Sequence, residues 1–120
     1  MLKVPDSRTA GVEYDMALRE RKLMLQCKKI SGMTHLVDCF TEKNNMCMLF
    51  ERPKGDSLRD SVKRLGKSHL KESEVRKIIS QILSILKYLH RKRIRHSAIN
   101  LDTVLIRERS KGMEVKLSHF

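Results

Sequence analysis

Two sets of residues could carry chemistry by type alone. One is the thiols of Cys27, Cys39 and Cys47; the other is the basic clusters Lys63-Arg64, Arg91-Lys92-Arg93 with Arg95, and Arg107, Arg109 and Lys111. Three cysteines without CxxC spacing make neither a disulfide framework nor a zinc knuckle, and read as buried thiols in a reducing compartment. The basic clusters contribute to a formal charge of +12, which favours acidic partners. A nucleic-acid surface would need aromatic platforms for the bases, and two Tyr and three Phe supply few of them. The clusters therefore read as a solvated basic face, with nucleic-acid binding through Arg91 to Arg95 as an alternative. His96, taken alone, reads as a structural histidine.

These groups need elements to hold them. A chain of 120 residues, 40% apolar and 33% charged, suits a folded segment the size of one domain with little stability to spare. No run of about 18 apolar residues suggests a membrane span, and MLKVPDSRTAGVEYD has no apolar stretch of the secretory kind. An intracellular, cytoplasmic protein is expected. The spacing of Leu18 and Leu25, with Ala17, Glu20 and Met24 on one stripe, predicts a helix over 12–28 that exits at Gly32. Strands are expected at His35–Phe40 and Asn45–Glu51, joined by the turn Thr41-Glu42-Lys43-Asn44. Pro53 and Gly55 end that hairpin, and Asp56 or Ser57 could cap a short helix running to Leu65.

The strongest periodicity runs from Lys71 to Arg91. Val75, Ile78, Ile79, Ile82, Leu83, Ile85, Leu86 and Leu89 recur at helical spacing opposite Arg76, Lys77, Ser80 and Lys87. Short strands are expected at Thr103–Arg107 and Glu114–Ser118, around the turn Arg109-Ser110-Lys111-Gly112. That order is mixed, of the α+β class.

Several segments together resemble a eukaryotic protein kinase domain. Tyr88-Leu89-His90 and the stretch from Ile94 to Ile106, with His96-Ser97-Ala98-Ile99-Asn100 inside it, resemble the helix end and catalytic loop HRDLxxxN. Val115-Lys116-Leu117-Ser118-His119-Phe120 resembles the strand leading into DFG. Met48-Leu49-Phe50-Glu51 and Lys54-Gly55-Asp56-Ser57-Leu58 resemble the strand and hinge between the two lobes. Leu2-Lys3-Val4 resembles the strand of the phosphate-binding lysine, and the helix bearing Glu20 resembles αC. The resemblance implies a partial protein-kinase-like fold: residues 1–52 as a partial N-lobe, 53–57 as hinge, and 58–120 as a partial C-lobe through the DFG position. It lacks the glycine-rich loop and the activation segment, as a fragment or truncated isoform would.

The resemblance also implies which roles are lost. Phosphoryl transfer needs a carboxylate to orient the hydroxyl and magnesium to neutralise phosphate. The catalytic Asp position is Ala98, the loop's second basic residue is Asn100, the metal-binding Asn is Thr103, and the DFG Asp is His119, an imidazole poorly suited to a hard ion. Ser97 replaces the arginine that clamps a phosphorylated loop. Lys3 and Glu20 could form the lysine–αC pair. Glu51 could accept from adenine, but Pro53 supplies no N–H two residues later. Met24, Leu36, His96 and Phe120 match the stacked regulatory residues.

On this reading no catalytic residue is retained, no metal is held, and ATP/Mg binding is weak or absent. The expected function is that of a pseudokinase acting as an interaction or allosteric module with a protein partner, one that offers an acidic surface. Two alternatives are a kinase-like enzyme with residual phosphotransfer, using Asp102 as the nearest acid, and a basic nucleic-acid binder. Several of Ile78, Ile82, Ile85 and Leu89 are expected to stay partly exposed, so that the isolated segment self-associates.

Overall fold

A computed structural model of the chain describes residues 2–5, 7–43, 45–64, 66, 70–110 and 112–118, with side chains from Tyr14 onward. The chain divides into two compact units, one of residues 1–29 and 34–52, the other of 30–33 and 53–120. Among the described residues no helix is long and apolar enough to cross a membrane.

The first unit is a three-stranded antiparallel sheet with one helix. Its strands are β1 (Leu2–Pro5), β2 (Leu36–Glu42) and β3 (Asn45–Phe50), in the order β1-β3-β2, and α1 (Ser7–Gln26) packs on them. β3 is central, so Met46, Cys47 and Met48 are buried in succession although neighbouring residues face opposite ways. β2 is an edge strand and carries an irregularity between Leu36 and Asp38, where Asp38 Oδ1 accepts the Cys39 N–H at 2.8 Å. The turn into β3 is tighter than Thr41–Asn44, because Thr41 and Glu42 still pair with Met46 and Asn45. Lys43 there adopts φ 47°.

α1 begins several residues before the expected start at 12. Its first two turns, Ser7 to Glu13, have no apolar stripe to announce them. Its buried side carries Ala17 and Met24, on the stripe read from the sequence, with Cys27 buried just past its end, while Leu18 and Leu25 are exposed.

The second unit is built on α3 (Glu72–Arg91) and on the sheet of β4 (Asp56–Ser57), β5 (Val104–Arg109) and β6 (Gly112–Leu117), in sequential antiparallel order. α3 starts at Lys71, whose N–H donates to Glu74 Oε2 at 2.8 Å. Its end is turned by Arg93 at φ 58°, with the Ile94 N–H donating back to the Leu89 carbonyl. α2 (Leu58–Arg64) is capped by Ser57 rather than Asp56, since the Asp60 N–H donates to Ser57 Oγ at 3.0 Å. Ser57 also belongs to β4, a strand the sequence did not suggest. β5 and β6 extend to Arg109 and Gly112, which leaves a two-residue loop.

Ile78, Ile82, Ile85 and Leu89 are buried, contrary to the exposure expected for them. α3 packs on β6, Ile85 meets Gly32, and Ile78 and Ile82 lie toward Leu58, Ile99 and Leu101. Gly32 (φ 98°) donates no side chain to this contact: a Cβ there would stand 2.7 Å from Ile85. The Gly32 carbonyl accepts the Leu117 N–H at 2.7 Å. The exposed apolar residues of α3 are instead Val75, Ile79 and Leu83, on the neighbouring stripe.

One polar side chain on α3 completes the sheet. Gln81 Nε2 donates to the Met113 carbonyl at 2.9 Å, and Gln81 Oε1 accepts the Val115 N–H at 3.0 Å. The amide thus stands where a neighbouring strand's peptide would pair with β6. Gln81→Leu is expected to lower stability by about 2 kcal/mol, because it leaves two partly buried backbone groups unmet. Urea unfolding of the two chains measures it, and a loss near zero would mean that water replaces the amide.

Candidate functional site

The loop between α3 and β5 is shaped by its own polar atoms. Asn100 makes an Asx turn: its Oδ1 accepts the N–H groups of Asp102 at 2.8 Å and Thr103 at 3.1 Å. Thr103 Oγ1 donates to the Ala98 carbonyl at 2.5 Å and accepts the Asn100 N–H at 2.9 Å. The Ala98 N–H points to His96 Nδ1 at 3.4 Å. The Thr103 carbonyl in turn accepts from the backbone and hydroxyl of Ser118, at 2.9 and 3.2 Å, fixing the loop to the end of β6.

Asp102, the one carboxylate of this loop, is held from α2. Arg59 Nε donates to Oδ1 at 2.6 Å and Nη2 to Oδ2 at 3.1 Å, a two-pronged pair, while the Arg59 N–H donates to the Leu101 carbonyl. The hydrogen bond from Arg59, helped by its charge, lowers the Asp102 pKa below the ordinary carboxylate value. The same contact raises that of Arg59.

A family model described as the protein kinase domain matches residues 2–120. The chain belongs to the protein kinase domain family. It is 28% identical over 110 residues to MAP kinase-interacting serine/threonine-protein kinase 2 of Xenopus laevis, covering 92% of this chain and 23% of that protein. It is 30% identical over 106 residues to serine/threonine-protein kinase 33 of Bos taurus, covering 88% of this chain and 21% of that protein. The crystal structure of Rad53 1–466 in complex with AMP-PNP superimposes with a TM-score of 0.78 at 25% identity, over 90% of this chain and 28% of that one. The chain thus spans about a quarter of the length of the relatives it matches.

Within this kinase fold, the positions singled out by sequence are distributed as follows. Ala98, Asn100 and Thr103 come together in the one hydrogen-bonded loop described above, with His96 half-buried beside Ala98. His119 and Phe120 lie outside the described residues. Lys3 sits in β1 opposite Cys47, but its side chain is also outside that set, so its pairing with Glu20 is not placed. Glu20 is half-buried on α1, and Met24 and Leu36 are buried in the same unit. Glu51 follows β3; its N–H donates to the His35 carbonyl at 2.9 Å, and His35 Nδ1 lies 3.7 Å from its Oε2.

Sequence reasoning missed Arg59 as a functional neighbour, since 43 positions separate it from Asp102. The only local signal was an Arg on the short helix after the hinge. It also treated Asn100 as a lost charge, without seeing that a short amide at that position supplies the turn.

Thr103→Val is expected to cost about 1–2 kcal/mol, because the Ala98 carbonyl and Asn100 N–H lose their shared hydroxyl. Denaturant unfolding reports it, and unchanged stability would detach Thr103 from the loop's shape. The Arg59–Asp102 pair has its own pH signature. A carboxyl whose folded pKa is lowered adds stability above its unfolded value and loses it as pH falls through the folded one. The melting-temperature gap between the native chain and Asp102→Asn is therefore expected to be widest at neutral pH and low salt, closing on acidification. A gap indifferent to pH would mean that the charge is not what matters.

Proposed function

We propose that this chain is a catalytically impaired protein-kinase homologue that works as an interaction or allosteric module. The observation that carries this reading is the loop from His96 to Thr103, in which the side chain at the catalytic Asp position is the methyl of Ala98. A methyl accepts no proton from an attacking hydroxyl and orients none. The side-chain oxygens of Thr103 and Asn100 are engaged within the loop: Thr103 Oγ1 by Ala98 and Asn100, and Asn100 Oδ1 by two backbone N–H groups. Such a set fits magnesium poorly, since this ion prefers near-octahedral carboxylate, phosphate and water oxygens.

Asp102 does not restore the missing base. Its two oxygens are occupied by Arg59, and its lowered pKa makes it a weaker proton acceptor than a free carboxylate. Residual phosphotransfer through Asp102 is correspondingly disfavoured. Nucleotide binding is weakened at the hinge as well, because Pro53 has no N–H to give the adenine ring, at a cost of about 1–3 kcal/mol for the unmet acceptor. The proposed binding partner is a protein with an acidic surface, which suits the net charge of +12.

Phosphotransfer from radiolabelled ATP with Mg²⁺ to a serine peptide tests the reading. Neither the native chain nor Ala98→Asp is expected to transfer label, because the single restored carboxylate leaves Thr103 and His119 unchanged. The native chain's melting temperature is likewise expected to stay fixed at millimolar Mg·ATP. Magnesium-dependent transfer by either chain, or a rise of several degrees, would return it to the enzymes.

A further inference from the structure

The hairpin of β5 and β6 carries a serine set among cations. Ser110 is one of the two residues in its loop, with Arg109 before it, Lys111 after it and Arg107 three residues upstream. β4 pairs only with Leu105 and Ile106, so over residues 107–113 the hairpin is two strands wide. A ribbon of two strands has little stability of its own, and its tip opens at small cost. Ser110, Arg109 and Gly112 are exposed. Arg107 and Arg109 lie two apart on one face. There Arg109 Nη2 meets Glu114 Oε2 at 2.6 Å, while Arg107 has no ion pair among the described residues.

The other serines whose side chains are described are less suited to modification, each for a visible reason. The hydroxyls of Ser57, Ser80, Ser84 and Ser118 donate within the fold, and Ser61 is buried. Ser31 follows lysines but stands between buried Ile30 and Met33, beside the close approach of Gly32 to Ile85. Ser73 and Ser97 are exposed, yet the third residue before each is apolar, Leu70 and Ile94. Ser110 combines an exposed hydroxyl, hydrogen-bonded to nothing among the described residues, with an arginine at that place.

We propose that Ser110 is a phosphorylation site for a serine kinase that selects basic residues ahead of its acceptor. Such an enzyme reads cations with carboxylates in its own cleft, and the same carboxylates turn acidic segments away. The extended backbone of β5 sets Arg107 about 10 Å before Ser110, at roughly 3.3 Å per residue. Ser110 Oγ attacks the γ-phosphorus of ATP, the bond to the β,γ-bridging oxygen breaks, and ADP leaves. The hydroxyl proton passes to the catalytic base of the modifying kinase. The product carries a charge of about −1.5 to −2 at Ser110. Within residues 107–114 three cations face two carboxylates, so the added charge turns the tip from positive to negative. Under the non-catalytic reading the mark subtracts from the positive surface offered to an acidic partner; the acceptor assignment stands without that reading.

The test is incubation of the full chain with an activated calmodulin-dependent protein kinase and γ-labelled Mg·ATP, the label being placed by mass spectrometry. Label is expected on Ser110 and is expected to vanish in Ser110→Ala. The kcat/KM of labelling is expected to fall about tenfold in Arg107→Gln and to recover in part in Arg107→Lys, as one charged contact is removed and restored. These variants alter side chains at the hairpin tip, and their melting temperatures, measured alongside, are expected to match the native chain. A control without added kinase reads transfer by the chain itself: label there counts against the non-catalytic reading, and labelling in trans still decides Ser110. Label on Ser31 or Ser97 in place of Ser110, or undiminished labelling of Arg107→Gln, would overturn the proposal. So would an unlabelled native chain; labelling of the free peptide 104–117 would then trace the failure to a tip that stays closed.

Discussion

Ile78, Ile82, Ile85 and Leu89 leave water together as α3 packs against β6, against the segment at Gly32 through Ile85, and toward Leu58, Ile99 and Leu101 through Ile78 and Ile82. Burying each aliphatic side chain contributes about 1.5–3 kcal/mol before the entropy of ordering is set against it. The other features of the second unit are arranged around this contact. Gln81 can reach β6 only because its neighbours one turn either side are seated there. Ile94 is buried after a left-handed turn at Arg93, which sends the chain from the end of α3 into the loop at His96. A residue larger than glycine at position 32 would push Ile85 out and loosen all of these at once.

The same helix marks how far a single sequence could be read. Both of its stripes are apolar, so periodicity located α3 almost to the residue but could not say which stripe is covered. Ile78 and Ile79 differ in the fold only by what stands opposite them, and that information is not local. In α1 the stripe read through Ala17 and Met24 is the buried one, while Leu18 and Leu25, whose spacing also marked the helix, stay exposed. The start of α1 at Ser7 was invisible because its first turns carry no hydrophobic signal, only an absence of proline. In the candidate site the resemblance to HRDLxxxN singled out Ala98, Asn100 and Thr103, which share one hydrogen-bonded loop. The hydrogen bonds that bind them to each other, and Arg59 to Asp102, depend on a turn geometry and a helix 43 positions away.

The loop at residues 96–103 is closed by the polar side chains it carries. A long basic residue at position 100 could not fold its side chain back onto the N–H groups of Asp102 and Thr103, while an asparagine does so readily. A threonine hydroxyl at 103 both donates and accepts, and so ties Ala98 to Asn100 in a way suited to holding shape.

The irregularity in β2 has a consequence for how the protein behaves at high concentration. An exposed edge strand bearing Val37 and Phe40 is a template on which another chain's strand can grow, the first step toward cross-β fibres. The register shift between Leu36 and Asp38 bends that edge, and the Asp38 carboxylate occupies the Cys39 N–H that an incoming strand would seek. One acidic side chain, in a chain otherwise so rich in lysine and arginine, thereby guards the sheet against polymerisation.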